Sequence, residues 1–317
     1  MAINRASIAK QLLPGLNAIF GLEYGSIDDE SKVLFDTEQS DRAFEEEVLM
    51  TGFGEAPVKS EGGAVEYDSA SEMWTARYTA ETIALAFAVT EEAMEDNLYD
   101  TFAKIRAKAL ARAMASTKQA KASSVFNNGF TAGAYAGGDG VAFFSDSHPV
   151  AGSGAAGSAS RDNTAANTAL SEAAIESAVT QINKLEDDRG ILIGARPMSL
   201  HVPPDLQFTA DQILNSPMST AIGVNPTTAA NGATNVNDIN AIKGIMPKGY
   251  MVNHRFSSAT AYFIRTDVPN GTKHFVRMPL ATKMDPDFDT GNMRFKARER
   301  YSFGFSDWRS YYGNQGA

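Results

Sequence analysis

The clearest alternation of apolar and polar positions lies late in the chain, from Met293 to Phe305. Met293, Phe295, Ala297, Tyr301, Phe303 and Phe305 fall on one side; Arg294, Lys296, Arg298, Arg300, Ser302 and Gly304 fall on the other. A period of two is that of a strand with one buried face, and the open face here is a ladder of four cations. Glu299 is the one charged intruder on the apolar side. A second alternation, Trp74, Ala76 and Tyr78 against Thr75, Arg77 and Thr79, follows a polar stretch centred on Glu61-Gly62-Gly63. Turn residues in that place predict a long hairpin over residues 49–89. Polar on both sides, such a ribbon buries little within its own chain and needs a partner surface.

At Thr90 the period changes. No Gly or Pro occurs from Thr90 to Phe126, and Met94, Leu98, Phe102, Ile105 and Ala109 recur at helical spacing. Glu91, Glu92, Glu95 and Asp96 crowd its start, and Lys104, Arg106, Lys108, Arg112, Lys118 and Lys121 its later turns, which complements the helix dipole. At ~1.5 Å per residue this predicts a rod on the order of 50 Å, packed on one narrow, alanine-rich side. Residues 1–48 show no clear period and are expected to form an arm with little core of its own. Residues 127–168 read as a Gly-, Ala- and Ser-rich loop. Leu170, Ala174, Ala178, Ile182 and Leu185 predict a second helix, started by Ser171 and Glu172 and stopped at Gly190. Short buried strands are expected within residues 191–204, Pro204 opens a third helix, and residues 216–240 read as a flexible excursion.

Charge narrows the function classes. The net charge of −10 argues against broad charge-driven affinity for nucleic acid. Ten carboxylates lie between Glu23 and Glu47, whereas nine Lys or Arg face six Asp or Glu from Arg265 onward. An acidic front and a basic tail can attract each other between copies, or be two separately solvated surfaces. With no cysteine, disulfides, thiolate metal sites and cysteine nucleophiles are excluded. No apolar run approaches the ~18 residues of a membrane span. The N-terminal sequence lacks a small-residue cleavage site, so neither a membrane segment nor a leader is expected.

The stretch FFSDSHPVAGSGAAG, residues 143–157, imitates chemistry twice. Ser145, Asp146, Ser147 and His148 supply hydrolase ingredients, but adjacent residues point in different directions and no G-x-S-x-G elbow exists. Gly152, Gly154 and Gly157 match a dinucleotide loop without the strand before it or the helix after it. Asp285, Asp287 and Asp289 echo a calcium loop, but Thr290 and Lys296 stand where Gly and Glu are needed; a turn at Asp289-Thr290-Gly291 is expected instead. His148, His201, His254 and His274 have no metal-ligand spacing. The cation ladder is the most distinctive charge feature, with carboxylates of the same or another subunit, or phosphate, as its partners; protein is the preferred one.

The order of arm, hairpin, long helix, helix–strand region and returning strand resembles the major capsid proteins of tailed bacteriophages with the Hong Kong 97 fold, in particular the Mu-type major head subunits. The residues that carry the resemblance are Phe144-Ser145-Asp146-Ser147-His148-Pro149, Glu186-Asp187-Asp188-Arg189-Gly190, Leu200-His201-Val202-Pro203-Pro204 and Ile213-Leu214-Asn215-Ser216-Pro217. Asp287-Phe288-Asp289-Thr290, Phe295-Lys296-Ala297-Arg298 and the run from Tyr301 to Arg309 form its strongest block. The resemblance implies an α+β fold: residues 1–48 an N-terminal arm, 49–89 an extended-loop hairpin, 90–165 with 269–302 a peripheral domain on a spine helix, and 166–268 with 303–317 an axial domain. It implies a virion structural protein rather than an enzyme, with no cofactor, metal or membrane. Assembly in the host cytoplasm would arrange copies as pentamers and hexamers of an icosahedral shell around double-stranded DNA, without sequence-specific binding. A portal and a decoration or cement protein are further implied partners. Residues 1–48 are too short for a scaffolding segment, so a separate scaffolding protein is expected. Contacts between copies are expected at Glu45, Glu46, Glu47, Lys59, Trp74, Arg77, Arg294, Lys296, Arg298 and Arg300. Lys59 lies in the loop where some relatives form a lysine–asparagine crosslink, though nothing in the sequence supports one here. An encapsulin-like cellular compartment shell is the alternative, and a serine esterase using Ser145 or Ser147 with His148 the remote one.

Overall fold

The alternation at Met293–Phe305 forms a 13-residue strand, and the first sheet is built around it. The computed structural model describes residues 5–90, 99–131, 133, 135, 137–150, 160–217, 240–287 and 291–317, without the side chains of 5–14, 99–102 and 160. The chain divides into two units, one of Met1–Glu45, Tyr78–Ser123 and Lys273–Phe303, the other of Glu46–Arg77, Ser124–Thr272 and Gly304–Ala317. In chain order the elements begin with α1 (Arg5–Gly25), α2 (Ser31–Leu34), β1 (Asp36–Gln39), β2 (Phe44–Met50), β3 (Glu72–Thr79), β4 (Glu81–Val89) and α3 (Tyr99–Asn127). Next come β5 (His148–Pro149), β6 (Ser160–Arg161), α4 (Glu172–Asn183), β7 (Pro197–Val202) and α5 (Gln207–Asn215). β8 (Tyr250–Val252), β9 (Tyr262–Thr266), β10 (Thr272–Pro286), β11 (Met293–Phe305) and β12 (Tyr311–Asn314) complete the chain.

In the first unit the sheet order is β1-β10-β11-β4, with β1 parallel to β10 and β4 antiparallel to β11. Met293, Phe295, Ala297, Glu299 and Tyr301 are buried, while Arg294, Lys296 and Arg298 are exposed. The cation ladder is therefore open. Against it in register on β4 stand Ala88, Ala86, Ala84 and Thr82, so small side chains flank the cations.

Residues 5–25, which show no clear period in sequence, are helical. Leu16 and Phe20 are buried in one cluster with Ala103, Ala107, Leu110, Ala111 and Met114 of α3 and Phe295 and Ala297 of β11, and Tyr24 packs against it. The stretch expected to hold little core supplies part of one. The spacing of Leu16, Phe20 and Tyr24 was the available signal; Pro14-Gly15 obscured it. The buried face of α3 also differs from the expected one. Ile105 is 59 % exposed and Ala109 is exposed, because the alanine-rich side allows close packing and is the side that packs. Residues 91–98 of the expected helix, including Met94 and Leu98, lie outside the described residues.

The hairpin pairs β2 with β3, so its first strand starts at Phe44, within the segment assigned to the arm. Its last expected stretch, Glu81–Val89, instead joins the four-stranded sheet. The turn stands as expected: Gly62 has φ +76° and the Gly63 amide donates to the Ser60 carbonyl at 3.1 Å. Helix α4 is capped by the Ser171 side chain, which accepts from Ala174 N at 3.2 Å, but ends at Asn183 rather than at Gly190. Gly190, at φ +82°, closes a separate turn on the Asp187 carbonyl. Segment 124–165, grouped with the long helix in the sequence reading, clusters with the second unit.

The second unit is organised on a β12-β9-β7-β8 sheet and an aromatic core. Phe126 lies 4.9 Å from Tyr311 and 5.3 Å from Phe263, and Phe143 stacks on Phe305 at 4.2 Å. Gly313 is required by this packing, since a Cβ there would stand 2.5 Å from the Phe144 ring.

Truncating Phe20 should cost about 3–5 kcal/mol in chemical denaturation, as for other buried Phe→Ala changes. Ile105→Ala should cost no more than about 0.5 kcal/mol, as at an exposed site. Similar small losses at both positions would contradict the helical core described here.

Candidate functional site

The Ser-Asp-Ser-His-Pro stretch is held from behind by one asparagine. The Asn163 side chain donates to the carbonyls of Phe143, Trp308 and Tyr311 at 2.8, 3.1 and 3.1 Å, and its oxygen accepts from Ser145 N at 3.0 Å. His148 is fully buried, its Nδ1 lies 2.7 Å from Asp139 Oδ2, and its ring stacks on Trp308 at 4.3 Å. An Asp–His pair thus exists, but not a triad. His148 Nε2 has no hydrogen-bond partner, while Ser145 Oγ lies 3.1 Å from Ser147 Oγ. A general base must reach the hydroxyl it activates, and this buried nitrogen does not. The glycines at 152, 154 and 157 lie outside the described residues.

The same corner holds a buried ion cluster. The Arg309 guanidinium bonds Asp188 at 2.6 Å and lies 3.5 Å from Asp307, 4.9 Å over the Trp308 ring. Burial pushes the Asp188 and Asp307 carboxyls up, against the downward pull of Arg309. The paired charges anchor the chain's final segment, since removing one partner of a buried pair leaves the other uncompensated. Asn163 and the Arg309–Asp188 pair were not singled out in sequence. The latter joins two of the quoted motifs, and only the fold shows them meeting.

His201 is buried within β7, where burial and the neighbouring Arg265 and Lys248 lower its pKa to about 3. Its Nε2 lies 3.0 Å from Ser199 Oγ. No group of His, Asp or Glu suited to a metal ion occurs among the described residues. Nor does any described helix have the length and hydropathy to cross a membrane.

The residues expected at contacts between copies divide into two sets. Several front carboxylates are matched within the subunit: Glu23 with Arg112, Asp29 with Lys118, Glu38 with Lys273 and Glu46 with Arg77. Glu45 accepts from Ser40 Oγ, and Glu47 from Ser306 Oγ. Attraction between front and tail is thus partly satisfied in cis. Trp74 is half-buried in β3. Arg294 bonds Asp287, whereas Lys296 and Arg298 project into solvent and the buried Arg300 Nε has no partner. Lys59 is exposed on the hairpin loop. On that loop Val58 is 100 % and Tyr67 95 % exposed, with Phe53 and Val65 also in water.

A family model described as phage capsid protein matches residues 72–314. The fold is similar to that of a virus-like particle from Pyrococcus furiosus, at 10 % identity and TM-score 0.52, covering 94 % of this chain and 97 % of that one. It is similar to the capsid of an empty GTA particle, at 15 % identity and TM-score 0.52, covering 89 % and 88 %. It is similar to the procapsid of bacteriophage JBD30, at 12 % identity and TM-score 0.50, covering 98 % and 76 %. No curated protein matches the chain.

Ester hydrolysis by pure protein should be absent both with His148 and in His148→Ala. The variant should instead lose about 1–3 kcal/mol of stability, because the buried Asp139 Oδ2 loses its partner while Oδ1 keeps only the Val141 amide. Turnover abolished by the substitution would restore the hydrolase reading.

Proposed function

We propose that this chain, which belongs to the phage capsid protein family and is a major capsid shell protein of the Hong Kong 97 fold, closes its shell chiefly through its hairpin and its cation ladder. The carrying observation is the exposure of Val58, Val65, Tyr67 and Phe53 along residues 51–71, a loop without strand pairing of its own. Apolar side chains left in water on an extended loop gain about 25 cal/mol per Å² when a neighbouring copy covers them. The loop then acts as the extended element laid across a second subunit, with Lys59 beside it. The first unit serves as the peripheral domain and the second, apart from the hairpin, as the axial domain.

The ladder of Lys296, Arg298 and Arg300 supplies the charged part of the same contacts. Cations at i, i+2 and i+4 on a strand stand about 7 Å apart, and the alanines of β4 beside them leave room for an acidic segment. Carboxylates of another copy are the fitting partner, since repeated heterologous contacts of one kind close into rings and shells. The role is structural, and the location is the virion. Assembly in the host cytoplasm, a separate scaffolding protein, a portal, a decoration protein and packaged double-stranded DNA complete the proposal. The acidic balance supports a wall that does not adsorb its genome. A cellular compartment shell has one observation in its favour, the fold shared with the Pyrococcus particle; the family match favours the phage reading.

Deleting residues 55–68 should leave soluble subunits, by sedimentation, that give no stable shells in negative-stain microscopy. Charge reversal of Arg298 together with Arg300 should lower shell yield several-fold with little change in the unfolding midpoint. Shell yield unchanged in both variants would sink the proposal.

A further inference from the structure

In the first unit, besides Arg300 Nε, three buried polar side chains each carry an atom without a hydrogen-bond partner: Glu299 Oε1, His274 Nε2 and Tyr301 OH. Native interiors rarely tolerate such atoms without cause, and these three are neighbours. Glu299 and Tyr301 share the buried face of β11, and the His274 ring lies 5.7 Å from that of Tyr301. The segment after α1 is fastened to α3 beside them. Lys118 Nζ bonds Asp29 at 3.1 Å, the Gln119 side-chain amide donates to the Asp28 carbonyl at 2.5 Å, and Arg112 Nε bonds Glu23 at 2.6 Å. Ser31 donates to Asp29 through its amide and its hydroxyl.

The charges that face Glu299 come from each neighbouring element. Lys118 stands on α3 and Asp29 between α1 and α2, with Tyr24 on α1 also coupled to it. His274 belongs to β10, Tyr301 to β11 itself and Glu81 to β4, where Glu81 acts on Tyr301. Lys118 is the one cation acting on Glu299, and it is already bound to Asp29. A neutral Glu299 leaves that pair intact. An ionised one is a buried charge competing for the same ammonium.

We propose that Glu299 is a proton-controlled latch: protonated, it keeps residues 16–31 docked on the long helix, and loss of its proton loosens them. Burial pushes its carboxyl up to about 7, with Lys118 opposing and Asp29 assisting. In a released state that exposes it, Glu299 returns to the ordinary carboxylate range. Docking is therefore fullest below that range and falls as pH rises, reaching its floor above about 7. The opposite shift of His274, lowered to about 4 by burial, does not enter. That ring stays in the sheet on release, stacked on Phe303 at 4.3 Å and 3.4 Å from Thr37 Oγ1. Asp29 is held below its usual range by Ser31 and Lys118, so it stays ionised throughout. Only the destination of the released segment, a neighbouring copy, rests on the assembly reading; the latch itself belongs to the free subunit.

Hydrogen exchange of the full chain as unassembled subunits, corrected for intrinsic rates, tests this at pH 5.5 and 7.5. Opening of residues 16–31 should rise roughly twentyfold in the unaltered protein, as the linkage requires. Glu299→Gln should stay closed at both pH values, and Asp29→Asn should open more at both with a smaller pH slope, since the freed Lys118 then favours the ionised Glu299. A change below threefold in the unaltered protein overturns the proposal, as does an unaltered slope in Glu299→Gln. Should Glu299→Gln misfold, the unaltered protein and Asp29→Asn decide the matter: absence of a slope in the first, or a steeper slope in the second than in the first, rejects the latch.

Discussion

A ribbon that its own subunit leaves in water is the constraint on which the rest of the protein turns. Residues 51–71 join β2 to β3 without a strand between them, and Val58 and Tyr67 project from that loop almost unshielded. An isolated two-stranded ribbon is marginal in water. Conformational order in such a loop costs about 1–2 kcal/mol per residue, and only burial against another surface offsets it. On the proposed reading that surface comes from another copy, and the loop gains its order as part of a shell.

The two units, unlike the loop, each carry a packed core of their own. One is held by α1 against α3 and β11, the other by an aromatic core locked through Asn163 and the Arg309 ion cluster. In the proposed assembly the cation ladder would give direction to contacts that apolar burial alone would leave unoriented.

Much of this was legible in the sequence where one period ran unbroken. Met293–Tyr301 alternated in the structure as it did on paper, whereas beyond it Ser302 is buried and Phe303 half-buried; even Glu299, the misfit, marked a real peculiarity of the buried face. The long helix was legible as a helix, but its buried side was not. Hydrophobic spacing pointed to Ile105, whereas close approach of α1 selected the alanines. Helix α1 was missed because Pro14-Gly15 in its middle outweighed three aromatic or aliphatic residues at spacing four. The hydrolase imitation at Ser145–His148 failed for a reason adjacency cannot reveal: the imidazole turns inward onto Asp139 and Trp308. Long-range pairs such as Arg309 with Asp188 leave no local trace, so only the fold could join them.

The central claim is that the hairpin loop finds its burial in trans. Hydrogen exchange across residues 55–61 and 64–67, compared between free subunits and purified shells of the same chain, measures this directly. The account requires near-intrinsic exchange in the free subunit and strong protection in the shell. Equal exchange in the two states would contradict it.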